Sequence, residues 1–101
     1  MPSTTITHHV VGQGGKYVAH LEGEQAQGTL EWEPGSESVG KEVRVATHTI
    51  VPKEIGGRGV AAELVDRFVA DAREKDFLIR PDCSYVEKKF DENPEWSDLR
   101  A

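Results

Sequence analysis

A single cysteine, Cys83, among 101 residues leaves no partner for an internal disulfide. It suits a reducing compartment, so the cytoplasm is the expected location. No apolar run approaches the roughly 20 residues of a membrane-spanning helix, and no membrane association is expected. Met1-Pro2-Ser3-Thr4-Thr5 carries neither a basic segment nor the apolar core of a leader, so no secretory signal is expected. Positive charge is also scarce, with 12 Lys and Arg against 18 Asp and Glu and a net charge of −6. That balance argues against nucleic-acid binding, which needs a basic face. An acidic field attracts cationic small molecules such as amines instead. No Cys/His spacing matches a zinc site. His8 and His9 are neighbours on a strand and point to opposite faces, so they cannot chelate one ion together. No metal is expected. A chain of this length builds one domain around one core, and it shows no repeat, linker or low-complexity tract.

What is present is a run of strands followed by a helix. Thr4–Val11 is rich in β-branched residues, Gly12-Gln13-Gly14-Gly15 is a turn, and Lys16–Leu21 returns, which predicts a hairpin. Glu24–Glu33 reads as a third strand, ended by the turn residues Pro34-Gly35-Ser36-Glu37-Ser38. Lys41–Val51 gives the strongest strand signal. Val43, Val45, Thr47, Thr49 and Val51 share one parity; Arg44, Ala46, His48 and Ile50 share the other. Both faces become apolar toward its end, which predicts a strand covered on both sides. After Pro52 the period changes. Val60, Ala61, Leu64, Val65, Phe68, Val69 and Ala72 recur at helical spacing. Glu63, Asp66, Arg67, Asp71 and Arg73 fall on the opposite, solvated face, with Glu63 and Arg67 spaced for an i,i+4 pair. Phe77–Arg80 reads as a short strand. Ser84–Asp91 reads as a second helix with Tyr85, Val86, Lys89 and Phe90 on one face, stopped by Asn93-Pro94. Trp96 and Leu99 in the tail are expected to dock on the body, and Trp32 and Trp96 to serve in packing. The order β-β-β-β-α-β-α predicts an α/β (α+β) domain on a mostly antiparallel sheet.

The loop Gly56-Gly57-Arg58-Gly59-Val60-Ala61 joins the strongest strand to the strongest helix. Glycines let a ligand approach the main chain. The first helical turn adds N–H groups without internal partners and the positive end of the dipole, so a phosphate or pyrophosphate is the natural guest. Arg58, Lys53 and Lys88 or Lys89 stand where they would add charge. The loop is neither a P-loop nor the G-x-G-x-x-G dinucleotide fingerprint. The other reading of the same glycines is a tight strand-to-helix turn and nothing more.

Four segments taken together resemble the small, single-domain proteins of the GNAT superfamily of N-acetyltransferases. They are His48-Thr49-Ile50-Val51-Pro52, the loop and helix from Gly57, Cys83-Ser84-Tyr85-Val86, and Asn93-Pro94-Glu95-Trp96. The signature of that superfamily is Arg/Gln-x-x-Gly-x-Gly/Ala. Gly59 and Ala61 match its last two fixed positions, whereas Gly56 stands where Arg or Gln is usual. A glycine-rich turn also replaces the helical pair that larger relatives insert between their first strands. The resemblance covers residues 5–101. It implies acetyl-CoA as co-substrate, lying along Thr49, Ile50 and Val51, with its pyrophosphate held by Gly56, Gly57, Arg58, Gly59, Val60 and Ala61. It names no acceptor beyond a small amine or lysine-like group. The side where larger relatives build the acceptor pocket is open, which leaves room for a homodimer to complete it.

Acetyl transfer to an amine needs a proton acceptor, a polarised carbonyl and an acid for the departing thiolate. His48 precedes the loop and has the side-chain type for a general base; the plain alternative is a histidine that ties down neighbouring backbone. Cys83 follows the last short strand, where the resemblance puts the groove near the acetyl group. It is either a nucleophile, a thiol beside the cofactor, or a small buried hydrophobe. The preceding Asp82 is expected to raise its pKa, and direct transfer is the preferred mechanism. Tyr85 is either the acid for the thiolate, as the resemblance implies, or one more aromatic on the second helix. Three functions follow: an N-acetyltransferase, a non-catalytic acyl-CoA-binding module, and a structural domain whose Gly56–Ala61 is a turn.

Overall fold

The computed structural model describes residues 3–101; Met1 and Pro2, in the stretch where no secretory signal is expected, lie outside them. The elements are β1 (Thr4–Val11), β2 (Gly14–Leu21), β3 (Gln27–Pro34), β4 (Val43–Ile50), a 3₁₀ turn (Lys53–Ile55), α1 (Val60–Lys75), β5 (Leu78–Pro81), α2 (Ser84–Glu92) and a 3₁₀ segment (Pro94–Leu99). The five strands form one sheet in the order β1-β2-β3-β4-β5. The first three pairings are antiparallel and only β4 and β5 run parallel, joined through α1. This is the β-β-β-β-α-β-α, largely antiparallel arrangement that the hydrophobic periods predict.

Several boundaries move, among them the start of β2, at Gly14 inside the expected turn. The third strand starts at Gln27 rather than Glu24, because Gly23 takes a positive φ of 81° and the Glu24 N–H closes a turn on the Leu21 carbonyl at 3.0 Å. The long helix runs on past Arg73 to Lys75, where Asp76 caps it in the left-handed region with its N–H on Ala72. The fourth strand contracts to Val43–Ile50.

Both helices lie on one face of the sheet. α1 packs on β2, β3 and β5, while α2 packs on β4 and β5 and against α1. Leu64, Val65, Phe68, Val86 and Phe90 from the helices join Tyr17, Ala19, Leu30, Trp32, Ala46 and Ile79 from the strands in one core. The tail docks as expected, with Leu99 buried and Trp96 edge-on to Phe90 at 5.4 Å. Arg44 shares this face. Its guanidinium lies between the Trp32 and Phe77 rings at 4.2 and 4.0 Å, with Nε on Glu42 at 2.7 Å. Among the described residues no helix is long and apolar enough to cross a membrane.

The polar face of α1 differs from the periodic reading at one residue. Asp71 is 5% exposed, because the Tyr17 hydroxyl reaches from the sheet to donate to its Oδ2 at 2.6 Å. Arg67 pairs with Asp71 at 3.3 Å and donates to the Ile6 carbonyl at 3.0 Å; no ion pair joins it to Glu63 among the described residues. His8 stacks on Tyr17 at 4.3 Å and accepts the Trp32 indole N–H at 3.0 Å, whereas its neighbour His9 lies against Thr7 on the other face.

Gly28 sets how closely α1 approaches. A Cβ there would stand 2.7 Å from Val60 Cγ1, so glycine lets the start of the helix rest directly on β3.

Candidate functional site

β4 and β5 pair only between Val43–Ala46 and Leu78–Pro81. The Cys83 N–H then donates to the Ala46 carbonyl at 2.9 Å, and the chain turns away into α2. Beyond that point Thr47–Ile50 continues with β3 on one side and no strand on the other. The sheet therefore opens into a gap whose wall is a free strand edge. Such an edge pairs with an extended amide-containing chain.

The register of β4 changes at the same place. Glu31 faces His48 and Trp32 faces Ala46, so Thr47 is an extra residue without a partner, and its hydroxyl donates to the Glu31 carbonyl at 3.2 Å. This is a β-bulge. It reverses the side-chain parity assumed from simple alternation. Val43, Val45, His48 and Ile50 share the helix-free face, while Ala46, Thr49 and Val51 point to the helices. The end of the strand is correspondingly not covered on both sides: His48 is exposed and Ile50 is 54% exposed. Burial falls at the beginning, at Val43, Val45 and Ala46, because only there does β5 flank the strand.

Cys83 sits at the N-cap of α2, with its thiol 3.5 Å from Thr49 Oγ1 across the gap. Burial pushes its pKa up. The Thr49 hydroxyl and the backbone N–H groups of Val86, Tyr85 and Thr49 pull harder the other way, and the thiol titrates below its ordinary value. Asp82 does not raise it, contrary to the reading from adjacency. Both Asp82 oxygens are held by Arg80, at 2.9 Å each. Tyr85, in the first turn of α2, is half-buried against the core, with the Lys89 ammonium 5.7 Å from its ring. Cys83, Thr49 and Tyr85 thus come from the helix-covered side. His48 stands on the opposite face, and no hydrogen bond links it to them among the described residues.

At the far end of the gap, Ile55 is fully buried and anchors the 3₁₀ turn. Gly56 is extended, with φ −65° and ψ 153°. Gly57 and Gly59 take φ of 75° and 76°, a region that costs other residues about 1–2 kcal/mol. Gly59 is the N-cap of α1 and offers no side-chain cap. The first N–H in this stretch with an internal acceptor is that of Glu63, on Gly59 at 3.1 Å. Those from Gly57 to Ala62 have none, and a Cβ on Gly57 or Gly59 would meet nothing within 4 Å. The loop is an exposed row of donors at a positive helix end. Of the expected cations, Arg58 is paired with Glu24 at 3.2 Å and Lys89 with Glu92 at 3.5 Å, whereas Lys53 is exposed in the 3₁₀ turn beside the loop.

Sequence reasoning passed over a cleft of about 800 Å³ lined by Val11, Lys16, Glu31, Glu33, Thr47 and His48, with the Gly14–Gly15 backbone among its walls. The alternation of Glu31 and Glu33 about Trp32 was the available signal. Among the described residues no group of three or more His, Cys, Asp or Glu is placed to hold a metal.

Comparison with known families finds a match over residues 16–99 to the model of the GCN5-related N-acetyl-transferases. No curated protein matches the chain.

Proposed function

Because the chain belongs to the GCN5-related N-acetyltransferase family, a family of acyl-transfer domains, we propose that it moves an acetyl group from acetyl-CoA to a primary amine by direct transfer. One observation carries this reading: a free strand edge at Thr47–Ile50 leads to a row of unpartnered N–H groups at Gly57–Ala62. The edge suits the amides of a pantetheine arm, and the helix start suits a pyrophosphate. A bare structural turn would not require both. Occupation of the loop would compete with Glu24 for Arg58, and the backbone supplies the contacts at Gly56, where an Arg or Gln side chain is usual.

The acceptor arrives as an ammonium and loses one proton to His48. The neutral amine attacks the thioester carbonyl, the C–N bond forms and the C–S bond breaks. The departing thiolate takes the Tyr85 hydroxyl proton, and the second amine proton restores Tyr85. The positions of His48 and Tyr85 on opposite sides of β4 support this division, since the amine enters from one face and the thiol leaves along the other. Cys83 lines the thioester end without forming an acyl-enzyme. The lone thiol supports a cytoplasmic location. A non-catalytic acyl-CoA-binding module is the second reading, favoured by one observation: no side chain among the described residues orients His48 through a hydrogen bond.

The test is incubation with acetyl-CoA and a panel of primary amines, following free thiol and the acetylated product by mass spectrometry. The transferase reading expects both in equal amounts. Binding of acetyl-CoA without product from any amine would leave the binding module instead.

A further inference from the structure

The cleft has a composition and a position that bear on the acceptor. Lys16 faces Glu31 across β2 and β3, and Glu31 faces His48 across β3 and β4, so the three form one row on the helix-free face. Side chains directly opposite in antiparallel strands have Cβ atoms about 5 Å apart. Glu33 lies two residues along β3 on the same face. Gly14, on the same face as Lys16, puts no side chain beside it, which is part of why the cleft is open. Val11, 59% exposed, and Pro34 supply an apolar wall. No ion pair engages Glu31 or Glu33 among the described residues. The cleft therefore offers a base, two carboxylates and an apolar wall, with Lys16 across from Glu31 on the side away from His48.

The helix-covered side of the gap is occupied by α1, α2 and Cys83. The helix-free face is the side from which a second substrate can reach His48.

Resting on the transferase reading, we infer that the acceptor enters through this cleft, and that Glu31 and Glu33 are its specificity determinants. They select an alkylammonium that carries a second cation several methylenes from the reacting nitrogen. The reacting amine lies between Glu31 and His48. The methylene chain runs along Val11 and Pro34, and the distal cation meets Glu33. An α,ω-diaminoalkane and a lysine side chain beside a further basic residue share this chemistry. Glu31 and Glu33 hold the acceptor and take no part in the bond changes.

The experiment is an NMR titration of 1,4-diaminobutane into the CoA-saturated protein and into the free protein, with butylamine and a Lys-Lys peptide as the other arms. The inference expects the amides of Glu31, Glu33, Thr47 and His48 to shift with the diamine. In Glu31→Gln/Glu33→Gln those shifts should be lost, while acetyl-CoA binds that variant as tightly as the wild type. Turnover of the diamine should then show KM raised at least tenfold with kcat nearly unchanged, and butylamine should discriminate little between the proteins. A diamine response stronger than the peptide response identifies a free polyamine as the source, and the reverse identifies protein lysine. Shifts elsewhere, no shifts at all, or an unchanged KM in the double variant would overturn it. Failure of acetyl-CoA to bind the wild type would instead overturn the transferase reading, whatever the diamine does.

Discussion

The Cys83 thiol and the Thr49 hydroxyl lie 3.5 Å apart, where β4 and β5 separate, and the contact ties the N-terminus of α2 to the bulged half of β4. The thiol is held below its ordinary pKa by Thr49 and the helix N–H groups, in spite of burial. Its thiolate is accordingly populated at a lower pH than in a free cysteine. Iodoacetamide alkylation followed against pH should show its midpoint below that of a free cysteine measured alongside, and Thr49→Val should move the midpoint up. An unmoved midpoint would mean that the hydroxyl does not act on the sulfur. Under direct transfer, Cys83→Ala keeps turnover within a few-fold of the wild type.

Gly59 combines a left-handed φ with an open approach. Gly59→Ala should cost about 1–2 kcal/mol of stability from the backbone alone, read from urea unfolding. Gly59→Glu carries the same backbone strain and adds a negative charge in front of the donors of Gly57–Ala62. It should abolish acetyl-CoA binding at a temperature where circular dichroism still reports a folded protein.

His48 and Tyr85 are assigned different protons, so their variants should differ in kind. His48→Ala should lower kcat by about 10²–10⁴, and added imidazole should restore part of the rate. Tyr85→Phe should slow thiol release by a similar order without imidazole rescue. Steady-state rates with and without imidazole separate the two.

The buried Tyr17–Asp71 pair supports the fold away from the site. Burial raises the Asp71 pKa, but the Tyr17 hydroxyl and Arg67 lower it further, so the carboxyl titrates below its ordinary value; the Tyr17 hydroxyl is pushed up by burial and by Asp71. A depressed carboxylate contributes stability that is present above the unfolded value, about 4, and is lost as pH falls through the folded value. Tyr17→Phe should cost about 1–3 kcal/mol at neutral pH and flatten the acid side of the stability curve. Urea unfolding at pH 7 and at pH 3 measures both effects.

Much of this architecture is legible in the chain. The β-branched runs gave the strand order, and the stripe from Val60 to Ala72 gave α1. The pairing of glycines with a helix start marked the loop whose backbone N–H groups lack internal partners, the proposed anion site. What alternation concealed is the bulge: Lys41–Val51 alternates without a break, and only the register with Glu31 and Trp32 exposes Thr47 as an extra residue. The same slip moved His48 off the face of Ala46 and opposite Glu31. Asp82 misled because adjacency in sequence is not adjacency of charge, with Arg80 close enough to hold it. The last residues of α1 were invisible because Glu74 and Lys75 carry no apolar signal, and the burial of Asp71 because its partner lies 54 residues away on β2.

The free edge of β4 and the donor loop together make the proposed CoA site, and calorimetric titration of acetyl-CoA into the wild type and into Gly59→Glu tests that most directly. The expected result is stoichiometric binding to the wild type, with about 2.7 kcal/mol of added stability at a hundredfold excess over Kd, and none to the variant. No heat and no thermal shift with the wild type, or equal affinity for the folded variant, would contradict it.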